Sequence, residues 1–130
     1  MSRRTRLGLA TGGLLLVAIA FALPWWVGDR GIEERAQAAE LYQARCALCH
    51  EIDGGIGAPL EPRVLASYGT AQLLFNYVRL AMPYEAPRTL TNEEYWLAVG
   101  HLLRSRGLVA EDAVINERTA EGIALGSGTR

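Results

Sequence analysis

The 130 residues predict a small all-α domain behind an N-terminal membrane-crossing helix. Three observations predict it. An uncharged apolar run opens the chain, helix-forming stretches separated by Gly and Pro follow, and no alternating stretch is long enough for a strand. Half of the residues are hydrophobic, 21% are charged and the net charge is −1, which argues against a disordered polymer or a general nucleic-acid binder. Every one of the 13 basic residues is Arg, and two Cys are too few for a disulfide framework. With the opening run set aside and a loose C-terminus expected, the folded remainder is fewer than about 80 residues. Apolar burial alone is marginal at that size, so a staple is expected.

Arg3, Arg4 and Arg6 form a basic flank over residues 1–6, and Leu7 to Val27 carries no charge. At about 1.5 Å per residue, a helix over 7–27 spans roughly 31 Å, the thickness of a bilayer's hydrocarbon core. The Arg flank suits the cytoplasmic side, and Trp25-Trp26 suit the far interface. This places the body of the chain on the periplasmic side of the inner membrane on a single-pass anchor. A cleaved secretory signal is the alternative, since Ala20-Phe21-Ala22 has the small-x-small pattern; a cut there leaves Leu-Pro-Trp-Trp as a poor new N-terminus. Ser2-Arg3-Arg4 is a weak twin-arginine match.

Residues 28–34 read as a short linker. A first helix runs to His50, with acids in its first turn and a face at Leu41, Ala44/Arg45 and Leu48. Asp53-Gly54-Gly55 and Gly57 break it, and a loop with Pro59 and Pro62 extends to about Ala66. A second helix is expected over Thr70–Leu80, its buried side formed by Leu73, Leu74, Tyr77, Val78 and Ala81. It halts before Met82-Pro83, because the residue before proline disfavours helix. Thr91 and Glu94 make a capping box for a third helix, with Tyr95, Leu97, Val99, Leu102 and Leu103 inward and Gly107 at its end. Residues 109–130 read as a lightly attached tail.

Cys46-Ala47-Leu48-Cys49-His50 carries the chemistry. Cys-x-x-Cys-His is the attachment pattern of c-type haem: two thiols three positions apart on one helical turn reach the two vinyl groups, and the adjacent imidazole reaches the iron. Three other readings fit less well. A redox Cys pair needs a βαβ context, a zinc site would have to recruit the distant His101, and a Cys46–Cys49 disulfide closes a strained small loop. Met82, the only methionine besides Met1, is the expected second axial ligand, with His101 the alternative. His50 needs its other ring nitrogen bonded, and a backbone carbonyl within Gly57-Ala58-Pro59 is placed to accept it. Arg63 and Tyr68 are candidates to hydrogen-bond a buried propionate.

With these residues in hand, the chain resembles the class I cytochrome c family from about Arg35 to Gly107. The resemblance implies an all-α class I cytochrome c fold over 35–108, three main helices wrapped around one covalent haem c. It implies a crossing of the first and last helices at which Ala38 and Tyr42 meet Ala98, Gly100 and His101, where the family usually has an aromatic in place of His101. Met82-Pro83-Tyr84-Glu85-Ala86-Pro87 with Leu90-Thr91 and Glu94-Tyr95 looks like small bacterial cytochromes that accept electrons from periplasmic dehydrogenases. The family implies partner docking around an exposed haem edge. Arg45, Arg63, Arg79 and Arg88 stand in for its Lys ring, although from Gly31 onward 9 Arg face 13 acids.

A His/Met pair saturates the iron and raises its potential, which points to a membrane-tethered carrier of single electrons rather than a catalyst. The expected donor is a periplasmic dehydrogenase or a respiratory or photosynthetic complex, and the expected acceptor is of the terminal oxidase kind. The alternative is a haem enzyme or a gas or redox sensor in which Met82 detaches; Glu85 is then the one acid near it.

Overall fold

The computed structural model describes residues 30–126. The chain divides into two compact units, Met1–Glu33 and Glu34–Arg130. The flank and anchor expected at 1–6 and 7–27 lie outside the described residues, and among the described residues no helix is long and apolar enough to cross a membrane. The linker expected at 28–34 is already helical from residue 30.

Helix α1 covers residues 30–50. It is regular over 30–42, opens into a π turn at Gln43–Ala47, and regains α geometry at Leu48–His50. The π turn inserts one residue into the helical phase. Ala38, Tyr42 and Ala47 are therefore the buried side, while Leu48, placed inward by a straight-helix reading, faces solvent. Tyr42 packs on His101 with ring centroids 4.9 Å apart, as the expected crossing of first and last helices requires. Ala38 and Ala98 are buried beside it. Gly100 has a different neighbour: a methyl group there would meet the Arg104 guanidinium at 3.2 Å.

The loop after α1 contains a short helix, α2, at Pro62–Ala66, where only a loop is expected from sequence. Pro62 occupies its first turn, where a missing N–H costs nothing. Helix α3 spans Ala71–Ala81, and the Thr70 hydroxyl accepts from the Leu73 N–H at 3.2 Å. Its inward side is Ala71, Leu74 and Phe75, and Tyr77 and Val78 line a cavity as an inward face would; Leu73, expected inward, is about half exposed. The cause is a partner on α4 (Asn92–Ser105): Phe75 stacks on Trp96 with centroids 3.7 Å apart and ring planes 10° from parallel, and lies edge-on to Tyr95. The Thr91/Glu94 capping box is present as expected, and Gly107, with φ of 67°, follows the helix end.

The segment after α4 is not a loose tail. Ile115, Ala120 and Leu125 are buried in the same apolar cluster as Leu74 and Leu103. Its end runs antiparallel to the start of α3. Ile123 accepts from the Ala71 N–H at 3.0 Å, and the Leu125 N–H donates to Gly69 at 2.9 Å, flanking a Thr70–Ala124 bridge. The tail thereby satisfies one of the free N–H groups of the first turn of α3. Three well-spaced apolar residues in a polar stretch carry no helical or strand period, so the docking is invisible to a periodicity argument.

Candidate haem centre

The C-terminal turn of α1 projects Cys46, Cys49 and His50 into one cavity of about 480 Å³. That volume lies within the range of pockets that enclose a small ligand. Leu65 and Tyr68, then Leu74 and Val78 of α3, and Tyr95, Val99 and Leu102 of α4 complete its mostly apolar wall. Met82 enters the same cavity from the end of α3. Its N–H donates to the Val78 carbonyl at 2.8 Å, and its carbonyl accepts from the Tyr95 hydroxyl at 2.7 Å.

The loop from Glu51 to Leu60 is shaped to hold the His50 ring. Nδ1 of His50 lies 2.8 Å from the Ala58 carbonyl oxygen, inside the Gly57-Ala58-Pro59 stretch expected to supply an acceptor. Bonding at Nδ1 leaves Nε2 free to meet a metal. Pro59 itself lines the cavity. Gly57 is required by contact, because a methyl group there would stand 2.6 Å from His50 Nδ1 and 2.7 Å from the Cys49 carbonyl oxygen.

Both ends of that loop are tied to α4 by Arg106. Its Nε donates to the Leu60 carbonyl at 2.9 Å, and its Nη2 pairs with the Glu51 carboxylate, which also accepts from the Tyr42 hydroxyl at 2.5 Å. The Tyr42 bond, then Arg106, hold the Glu51 carboxyl below the usual carboxylate range, while burial pushes the Tyr42 phenol up. Sequence reasoning missed this clamp. Its partners are 46 and 55 residues apart, and no local pattern links them.

The other expected residues divide. Tyr68 lines the cavity with its ring 5.1 Å from that of Tyr77, and burial, then Tyr77, push its hydroxyl up. Arg63 does not line the cavity: its side chain is 83% exposed and pairs with Glu61 at 2.8 Å. A short helix led by Glu61-Pro62 turns it outward, so the propionate partner read from sequence is a surface residue. Arg79 and Arg88 are exposed too, whereas Arg45, also exposed, lines the cavity.

His101 lies against Tyr42 and lines a second cavity with Arg35 and Arg104, away from Met82. That removes it as an axial alternative and leaves a zinc reading without its fourth donor. Among the described residues no cluster of three or more His, Cys, Asp or Glu is set to hold a metal ion. Cys46 and Cys49 are not joined in a disulfide, and burial, then Cys49, push the Cys46 thiol up to about 11. The thiol is therefore uncharged at neutral pH, as its apolar surroundings demand. Two thiols and an imidazole on one turn, a thioether in the same cavity and apolar walls fit a c-type haem.

Fold and site together define an all-α cytochrome c domain. The chain belongs to the family of cytochrome c oxidase, cbb3-type, subunit III, whose model matches residues 33–102, more than half of its length. No curated protein and no solved structure matches it. Membership makes this a haem protein of electron transport, of a kind that carries electrons rather than performing catalysis.

Proposed function

We propose that this chain is a membrane-tethered, monohaem electron carrier with Cys46 and Cys49 as thioether anchors and His50 and Met82 as axial ligands. The observation that carries it is the entry of all four side chains into one apolar cavity. When bound, the haem supplies a one-electron couple, and the protein's part is to place and insulate it. The Ala58 carbonyl orients His50, α3 and α4 wall the cavity, and the Met82 thioether would hold the iron together with His50 and raise its potential.

Residues 7–27 hold the domain at the periplasmic face of the inner membrane in this reading. The tether turns a search in three dimensions into a local one at high effective concentration. A cbb3-type oxidase is the acceptor that family membership favours, with a periplasmic dehydrogenase or a respiratory complex as donor. Glu85 is exposed and absent from the cavity wall, so the reading in which Met82 detaches for catalysis has no acid at the site.

A reduced-minus-oxidised spectrum with and without carbon monoxide tests the assignment. The carrier shows the methionine–iron band and no gas binding, and Met82→Ala loses the band and lowers the potential. A large carbon monoxide shift in the wild-type protein assigns the sensor or enzyme class instead.

A further inference from the structure

Met82 is half-buried at the end of α3, and both of its backbone polar groups are bonded. The N–H completes the last turn of α3, as any residue at that position does. The carbonyl bond is different in kind, because it comes from a side chain on another helix. Tyr95 is 1% exposed, its ring lies edge-on to Phe75 at 6.3 Å, and its hydroxyl donates to the Met82 carbonyl at 2.7 Å. A buried phenol needs an acceptor, and this one has found the backbone of the residue whose thioether enters the cavity.

We propose that Tyr95 is a positioning residue for the Met82 thioether, which rests on the axial reading given above. The ring is fixed in the core by Phe75, so the hydroxyl is a rigid post on α4. The Met82 segment emerges from α3 in extended conformation, with φ of −124° and ψ of 153°, and lacks helical bonds beyond its own N–H. Without the post, the segment is held from one side only. Any ligand that displaces the thioether must pull Met82 from the cavity and break the Tyr95 bond, so that bond adds to the free energy of the closed state. Its removal raises the population of the open state, and the apparent affinity of a competing ligand rises by the same factor.

Imidazole titration of the haem-loaded full chain reads that factor directly. Tyr95→Phe keeps the ring and its contact with Phe75 and removes only the donor. The loss of one neutral hydrogen bond predicts roughly two- to ten-fold tighter imidazole binding, with the methionine–iron band still present at neutral pH. Leu103→Val is the comparison: Leu103 is fully buried on α4 but does not line the cavity, so it loosens the core without touching the post. Unchanged affinity in Tyr95→Phe, or an equal rise in Leu103→Val, overturns the proposal while leaving Met82 as ligand. A wild-type protein without the methionine–iron band overturns the axial reading and this inference with it. As a second measurement, independent of any variant's folding, isotope-edited infrared spectra of carbonyl-labelled methionine follow the bond in the wild-type chain. The Met82 carbonyl band moves to its unbonded position when imidazole binds, and a band that stays in place also overturns the proposal.

Discussion

Gly57→Ala is the sharpest test of how the loop holds His50. The added methyl would stand 2.6 Å from Nδ1 of the ring, where ordinary contact begins near 3.4 Å, so loop and ring must part by about 0.8 Å. The same shift carries the His50–Ala58 separation from 2.8 Å to about 3.6 Å, beyond hydrogen-bond reach. The Cys49 carbonyl, 2.7 Å from the methyl on another side, blocks the easy escape. Overpacking of this kind costs about 1–3 kcal/mol and the lost bond about 0.5–1.5 kcal/mol, so a destabilisation of about 2–4 kcal/mol is expected. Urea unfolding of the haem-loaded protein, followed by circular dichroism, measures it. Gly122→Ala supplies the baseline, since nothing lies within 4 Å of a methyl group there and it shares the entropic effect of replacing glycine. A Gly57 variant as stable as the Gly122 variant would refute the reasoning.

Two further predictions concern α4. Arg106→Met leaves the Leu60 carbonyl without its donor and the Glu51 carboxylate with only the Tyr42 hydroxyl, and should cost about 1–2 kcal/mol in urea unfolding; a double-mutant cycle with Glu51→Gln should be sub-additive, and simple additivity would sink the clamp. The His101 imidazole is held below its ordinary range by burial first, then by Arg104 and Arg106, with Glu51 and Glu111 opposing. The unfolded chain therefore takes up the proton first, so stability is complete above the ordinary histidine value and falls as pH drops through it towards the depressed folded value. His101→Phe should flatten the stability curve on the acid side of the ordinary histidine value, and an unchanged slope would count against burial as the cause.

What could be read from the sequence was local in origin. Cys46, Cys49 and His50 fall within five positions, and the chemistry that joins two thiols and an imidazole to one macrocycle demands that spacing. Thr91 and Glu94 announce their own helix because both partners of the capping box lie within four residues. Even the acceptor for His50 was legible, since a Gly-rich stretch directly after the motif has little else to fold against. Helix faces were less legible. Phe75 and Trp96 lie in different helices, and only their stacking shows why α3 turns Leu73 outward.

The need for a staple in a marginal core, the motif that fits it, and the capped start of α4 were determined by the sequence alone, because each depends on neighbours a few positions away. Tertiary structure decided the rest. It set the phase of α1 through one inserted residue at Gln43–Ala47, sent Arg63 to solvent and His101 to Tyr42, and folded a polar tail over the start of α3. It also placed Tyr95 and Arg106 as supports for the two ends of the haem centre. The Tyr95 and Arg106 bonds join residues from 13 to 55 positions apart, and their free energy exists only once the chain has closed around the cavity.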